Sequence, residues 1–465
     1  MHIEQIYTGC LAQGAYYIRS GNEAAIIDPL RETQPYTARA EKDNVKITYI
    51  FETHFHADFV SGHVDLAKKT GAKIVFGPNA QTTYSSYIAK DGEEFKIGKL
   101  TIKVLHTPGH TLESTTFLLL DENKKPYCIF SGDTLFIGDV GRPDLAIKSS
   151  LTQEDLAGML FDSLQTKIKT LPDDVIVYPA HGAGSACGKN MSKETFDTLG
   201  NQKQKNYALV IQSRDEFIKE LTTGILPPPQ YFSKNAHLNK TGYDAFDDVM
   251  QKGNTALDAN AFEQLATAEN AMILDVRKAI EFSEGHIPNS IFIGIDGQFA
   301  PWVGALITDL KQPILLVAPS GREEEIIMRL SRVGYDNCLG YLKGGFDAWK
   351  NAGKEISKLR SVSAEEFAGN LNKNINAIDV RRPGEYNAQH VENVPSMPLD
   401  YINDWTETLD KSKEYYIHCA GGYRSMIAAS ILKARGFEKL IDVAGGFAAI
   451  QKTAAPLTCE KTCSN

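Results

Sequence analysis

Four short segments place metal-type ligands directly after an apolar run. Ile50-Phe51 leads into Thr53-His54-Phe55-His56-Ala57-Asp58. Val104-Leu105 leads into His106-Thr107-Pro108-Gly109-His110, Ile129-Phe130 into Ser131-Gly132-Asp133, and Val177-Tyr178 into Pro179-Ala180-His181. Six of the 11 histidines (His54, His56, His63, His106, His110 and His181) fall in or near these segments. One histidine at a strand end is ordinarily a hydrogen-bonded structural residue. Four such segments in one region favour convergence on a single point outside a sheet. Imidazole combined with carboxylate suits zinc or non-haem iron.

A second chemical centre lies near the other end of the chain, in Tyr416-Ile417-His418-Cys419-Ala420-Gly421-Gly422-Tyr423-Arg424-Ser425. The pattern predicts a strand ending at His418 and a helix starting near Arg424, with Cys419 heading a tight loop between them. Gly421 and Gly422 let successive backbone N–H groups point into one hollow, which suits an anion. The helix N-terminus adds a positive end. Both favour a thiolate, and so a nucleophile rather than a quiet core cysteine.

The elements around these residues divide the chain. At 465 residues, about three domains are expected. Leu226-Pro227-Pro228-Pro229 cannot lie inside a helix or a central strand, and the polar stretch after it reads as a linker. The reading is a metal-ligand domain at 1–225, a linker at 226–254, and two repeats at 255–356 and 357–465. In the repeats, Asp275-Val276-Arg277 with Glu281 and Gly285-His286 recurs as Asp379-Val380-Arg381 with Glu385 and Gln389-His390. Lys343-Gly344-Gly345-Phe346 recurs as Ala444-Gly445-Gly446-Phe447. Asp258 and Ser363 sit at matching helix starts. Short apolar runs such as 271–276, 313–317, 376–380 and 415–419 alternate with helix patterns, which predicts α/β domains with parallel sheets. The front region is strand-rich, with an amphipathic helix capped by Thr152 and carrying Leu156, Leu160, Leu164 and Ile168.

The four ligand motifs together resemble the ordered motifs of the metallo-β-lactamase fold, an αββα sandwich with its metal between the edges of two sheets. Hydrolytic members of that family often hold two zinc ions, and their first motif usually ends in a further His. Phe59 stands at that place here and cannot ligate. The nearer resemblance is to the persulfide dioxygenase branch. It implies one Fe(II) per chain held by His54, His110 and Asp133, with three coordination positions left open. His56, Asp58 and His181 would orient the ligands. Arg142, nine residues after Asp133, would bind an anionic thiol carrier, its plain alternative being an ion pair with Asp139 or Asp144.

Four residues separate Cys419 from Arg424, where cysteine phosphatases have five. The loop resembles that of rhodanese sulfurtransferases, as do the other repeat features of both back domains. Cys419 would carry a sulfane sulfur as a persulfide, and Gly421, Gly422, Tyr423 and Arg424 would bind the anionic donor or acceptor. In the first repeat, aligning Gly334-Tyr335 with Gly436-Phe437 sets Val317 opposite Cys419 and Arg322 opposite Arg424. That domain is expected to be catalytically inactive, with Arg322 paired to one of Glu323, Glu324 or Glu325.

These resemblances imply a fusion that oxidises a low-molecular-weight persulfide (of glutathione, coenzyme A or cysteine) with O₂ to sulfite and exchanges sulfane sulfur with sulfite or thiosulfate. The alternative is a zinc hydrolase of the glyoxalase II or thioesterase type fused to a sulfurtransferase. A formal charge of −9 without a basic tract argues against nucleic acid and anionic membrane as partners. No apolar run reaches the ~20 residues of a membrane span, and the N-terminus lacks the pattern of a signal peptide. Seven scattered cysteines without a C-x-x-C pair fit a reducing cytoplasm. A homo-oligomer is compatible with the sequence, which does not set the oligomeric state. Cys10 and Cys187 read as core cysteines, the alternative for either being a thiol near the substrate path, Cys459 and Cys463 as part of a frayed tail, and Trp302 as packing at a domain interface.

Overall fold

The computed structural model describes residues 1–145, 151–373 and 375–459. Cys463 lies outside them. The chain forms two compact units, one of Met1–Phe246 with Ser331–Gly334 and the other of Asp247–Leu330 with the residues from Tyr335 onward. Among the described residues no helix is long and apolar enough to cross a membrane.

The first unit is built on two six-stranded sheets. One runs in the order His2–Thr8, Gln13–Ser20, Glu23–Ile27, Lys46–Glu52, Lys73–Phe76, Tyr87–Ile88. The other runs Asp197–Thr198, Ile176–Pro179, Pro126–Gly132, Thr115–Leu120, Leu100–His106, Glu94–Ile97. Side chains alternate across each strand, so each sheet has two buried faces. Tyr16, Ile18, Ile27 and Phe51 meet Ile102, Phe117, Leu119 and Phe130 in the core between the sheets. On the outer face of the first sheet, Tyr17, Ile26 and Ile50 pack with Tyr36 and Ala40 of the helix Gln34–Asp43. On the outer face of the second, Leu118, Leu120 and Ile129 pack with Ala157 and Leu160 of the helix Gln153–Ser163. The result is the αββα sandwich expected. The Thr152 hydroxyl accepts from the Asp155 N–H and caps that helix, which passes into a π-helical turn at Leu164–Ile168.

The segment 226–254 is not a bare linker. It carries the helices Phe232–Thr241 and Phe246–Gly253. Hydrophobic Tyr231 and Phe232 are buried, and burial of those rings makes a helix worthwhile despite the polar sequence around them.

In the second unit the first repeat forms a five-stranded parallel sheet, ordered Ala256–Leu257, Cys338–Leu342, Ile314–Val317, Met272–Asp275, Ile291–Phe292. The second repeat forms a four-stranded parallel sheet, ordered Arg360–Val362, Leu440–Val443, Tyr415–His418, Asn376–Asp379. Both expected helix starts are capped: Asp258 accepts from Asn260 and Ala261 N–H, and Ser363 accepts from Glu366 N–H.

Candidate metal centre and cysteine loop

Each predicted ligand follows the end of a strand, His54 after Lys46–Glu52, His110 after Leu100–His106 and Asp133 after Pro126–Gly132, as does the orienting His181 after Ile176–Pro179. Gly132 makes the last turn into Asp133 with φ +53°, and a Cβ there would stand 2.6 Å from Thr53 Cβ. Only glycine permits both the left-handed backbone and that approach.

The buried ligand atoms of His54, His110 and Asp133 lie within 4.8 Å of one another. His110 Nε2 is 3.3 Å and His54 Nε2 3.9 Å from Asp133 Oδ2. The far side of each ring is fixed by a hydrogen bond. His110 Nδ1–H donates to the Arg142 carbonyl at 2.8 Å. The Thr53 hydroxyl donates to Asp28 at 2.8 Å, so its oxygen accepts from His54 Nδ1–H at 3.0 Å. Both rings are thereby held in the tautomer that aims an Nε2 lone pair inward. Burial, then the neighbouring His56, His110 and His181, push the His54 pKa well down, which keeps it neutral. His110 Nε2 and both Asp133 carboxylate oxygens are buried without a hydrogen-bond partner. Orphaned polar atoms this deep are costly, and a cation between them would relieve the cost. Two imidazoles and one carboxylate suit iron or zinc, so the residues fit a metal ion.

His56, Asp58 and His181 form a second buried group beside the first. His181 Nε2 lies 3.4 Å from Asp58 Oδ2 and 3.7 Å from Asp133 Oδ1. His56 Nε2 faces the Asp28 carboxylate at 3.1 Å and Glu52 at 3.6 Å. Burial opposes a charge on His56, but those carboxylates outweigh it and push its pKa up to about 9. Burial also raises Asp58. Phe59, fully buried, stacks on His56 at 4.3 Å between centroids and offers no donor.

Arg142 is 7% exposed. Its guanidinium makes a bidentate pair with Asp144 at 2.6 and 2.7 Å and reaches the carbonyls of Ala186 and Leu226. Its main-chain carbonyl, rather than its charge, is what meets the centre.

Two contributors escaped the sequence reading. Asp28 anchors Thr53 by backbone and hydroxyl. Asn239 accepts from Ser61 N–H and donates to the carbonyls of His56 and Phe59 at 2.7 and 2.8 Å. It lies in the stretch read as a linker, where nothing in the sequence marks it. Cys187, read as a core cysteine with a thiol near the metal site as its alternative, is buried with its sulfur within 4.8 Å of ligand atoms of Asp133 and His181, which favours the alternative.

In the second repeat, Cys419 heads the loop between Tyr415–His418 and the helix Tyr423–Ala434. It is 1% exposed. Gly422, at φ +101°, turns its N–H onto Cys419 Sγ at 3.1 Å, and the thiol donates to Ser425 Oγ at 3.5 Å. Arg424 is held by Glu385 in a bidentate pair at 2.6 and 2.8 Å, which also draws the Glu385 pKa down. Tyr423 lines the same cleft as Cys419 while its hydroxyl donates to Gly294 O of the first repeat at 2.8 Å. Cys419 floors a cleft of about 500 Å³, walled by Ala420, Gly421, Arg382, Glu385 and Arg424 on one side and by Gly297, Gln298 and Trp302 of the first repeat on the other.

The first repeat corrects one alignment. Asp275 pairs with Val317 across its sheet as Asp379 pairs with His418. Val317 therefore matches His418, and the residue opposite Cys419 is Ala318. A Cβ on Gly345 would approach Ala318 O just as one on Gly446 would approach Cys419 O. Arg322 then matches Tyr423, and Glu323 stands opposite Arg424. Alanine is no more a nucleophile than valine. Arg322 pairs with Glu325 at 2.7 Å, as expected, and also with Asp296 at 2.6 Å.

Comparison with known proteins agrees with this geometry. The metallo-beta-lactamase superfamily profile matches residues 8–181, and the rhodanese-like domain profile matches 258–352 and 363–453. The mitochondrial persulfide dioxygenase ETHE1 of Homo sapiens is 31% identical over 214 residues, 46% of this chain and 76% of that protein. A hydroxyacylglutathione hydrolase of Rhodopseudomonas palustris is 33% identical over 178 residues, 37% of this chain and 64% of that protein. The crystal structure of a metallo-beta-lactamase from Staphylococcus aureus is 32% identical, covers 74% of this chain and 98% of its own, and has a TM-score of 0.65. The class is thus a metallo-β-lactamase-fold enzyme joined to rhodanese-like domains. Within it, the chain belongs to the family of persulfide dioxygenases fused to two rhodanese domains.

Proposed function

We propose that the first unit is a mononuclear iron persulfide dioxygenase and that Cys419 is the sulfur carrier of a sulfurtransferase. The observation that carries the first half is the three-ligand constellation of His54, His110 and Asp133 with Phe59 walling its neighbour group. Iron held there would supply the means of activating O₂, while the four electrons that reduce O₂ come from the sulfane sulfur. The balance is R–S–SH, O₂ and H₂O to R–SH and sulfurous acid, which ionises to sulfite. The chain's own part is positional: Thr53 and the Arg142 carbonyl fix the two imidazoles, and the buried walls exclude bulk water. The carrier thiol is glutathione, coenzyme A or cysteine.

In the second half, the Cys419 thiolate takes the outer sulfur of a persulfide and passes it to sulfite, giving thiosulfate, or runs the reverse. Gly422 N–H steadies the charge on sulfur. Free thiols throughout the described chain suit a reducing compartment such as the cytoplasm.

The second reading, a zinc hydrolase, draws on the His56–Asp58–His181 group beside Asp133 and on the hydroxyacylglutathione hydrolase relatives. Oxygen uptake with glutathione persulfide or coenzyme A persulfide, beside metal analysis of anaerobically purified protein, separates the two. One iron per chain with O₂ consumption is expected. Two zinc ions with thioester hydrolysis and no O₂ uptake would overturn the dioxygenase.

A further inference from the structure

The first repeat has lost its nucleophile yet remains fastened to the cysteine loop of the second. Its Phe292 N–H donates to Ser430 Oγ at 2.9 Å, on the helix that follows Cys419. Tyr423 reaches back to Gly294 O. A Cβ on Gly297 would stand 2.3 Å from Tyr423 Cζ, so the two repeats meet at the closest spacing that glycine allows. This contact sets Gln298 and Trp302 as the wall facing Cys419.

That wall is larger than an inorganic anion needs. Thiosulfate would be served by the loop N–H groups around Cys419. The cleft of about 500 Å³ falls in the range of pockets that take organic ligands, about 300–1,000 Å³. The wall is also chemically unspent. Trp302 is 4% exposed, and neither its indole N–H nor the exposed Gln298 amide has a hydrogen-bond partner among the described residues. Trp302 packs away most of its ring but keeps the indole N–H open to solvent, where it can meet a ligand. Arg382 stands at the mouth, 5.9 Å from the Trp302 ring and 3.6 Å from Asp400. Arg424, by contrast, is committed to Glu385.

We propose that Gln298 and Trp302 of the first repeat form the subsite for the amide-bearing organic part of the persulfide that loads Cys419. The indole face takes the chain of the carrier, the indole N–H and the Gln298 amide meet its amides, and Arg382 meets its terminal anion. In the loading step the Cys419 thiolate attacks the outer sulfur of R–S–SH. The Cys419–sulfur bond forms, the R–S to sulfur bond breaks, R–S⁻ leaves, and the proton stays on the transferred sulfur. No external oxidant or reductant enters. The subsite rests on the sulfurtransferase reading above, and deepens it by naming what the inactive repeat contributes.

The test compares two donors on the full chain: glutathione persulfide, and thiosulfate with cyanide as acceptor. Loading of Cys419 is read by intact mass and by steady-state rates. In Trp302→Phe, which keeps the volume, the ratio of kcat/KM for glutathione persulfide to that for thiosulfate falls about tenfold, carried by KM for the persulfide. Gln298→Ala, at an exposed position that leaves folding intact, lowers the same ratio about threefold, as befits one hydrogen bond. Ratios within twofold of the parent in both variants would overturn the subsite, as would a fall carried by kcat alone. If Cys419 in the parent chain takes sulfur from neither donor, the sulfurtransferase reading itself fails, which is a different result.

Discussion

The two rhodanese-like repeats share a frame and differ in what the frame presents. In each, an aspartate at a strand end clasps an arginine two residues on, Asp275 with Arg277 and Asp379 with Arg381, both at 2.6 Å. Each arginine also donates to a loop carbonyl at 2.8 Å, Gly285 or Gln389, and lies over a phenylalanine, Phe346 at 4.2 Å or Phe447 at 3.8 Å. Each repeat turns on a pair of left-handed glycines, Gly344-Gly345 and Gly445-Gly446. Against that sameness, Ala318 stands where the second repeat has Cys419, and Glu323 where it has Arg424. The shared parts are therefore the means of holding the fold, and the chemistry is confined to a six-residue loop that can be lost while the frame persists.

The largest effect expected from breaking this contrast is at the nucleophile. Cys419→Ser should lower thiosulfate:cyanide sulfur transfer by about 10³-fold or more, measured as thiocyanate formed. Ala318→Cys should not install activity in the first repeat, because Glu323 replaces the cation; an active Ala318→Cys, Cys419→Ser chain would break the contrast. Next is Arg424→Lys, which keeps the charge but loses the two-point grip on Glu385. A rise of about tenfold in KM for thiosulfate is expected, with little change in melting temperature.

Smaller effects concern stability. His286 of the first repeat is buried and its pKa falls to about 4 from 6.5. A histidine held neutral in the fold costs nothing above its unfolded pKa, and the fold loses stability as pH drops from 6.5 to 4. His286→Gln should flatten that loss, by about 2 kcal/mol, in urea melts across the window. In the second repeat, burial raises Asp442 to about 6 from 3.8. A raised carboxyl stabilises nothing above pH 6, where its charge is buried, and its cost disappears as pH falls through 6 toward 3.8. Asp442→Asn should therefore stabilise by about 2 kcal/mol at pH 7.5 and converge with the parent below pH 4.

A metal-type constellation was legible because four segments set His or Asp after apolar strand runs at short spacing; the singling out of His54, His110 and Asp133 came from the resemblance to persulfide dioxygenases. The sandwich was legible from strand-rich patterning and the cap at Thr152. The supports were not. Asp28 reads as an ordinary strand-end acid until Thr53 folds over it, and Asn239 acts from a helix whose polar sequence resembles a linker. The Ala318 register was hidden because the repeats differ by one residue in the helix after the loop, so that Gly334 aligned with Gly436 shifts everything before it. Trp302 was readable as an interface residue, but not as a wall of the Cys419 cleft, since that wall exists only when the two repeats meet.

The proposed division of labour sets an iron centre that makes sulfite beside a cysteine that consumes it. It is tested most directly by feeding glutathione persulfide and O₂ to the iron-loaded full chain and to its Cys419→Ser variant, and measuring sulfite and thiosulfate. Equal O₂ uptake in both is expected, with thiosulfate formed by the parent and sulfite alone accumulating in the variant. Thiosulfate formed equally by both proteins, or O₂ uptake lost with Cys419, would contradict it.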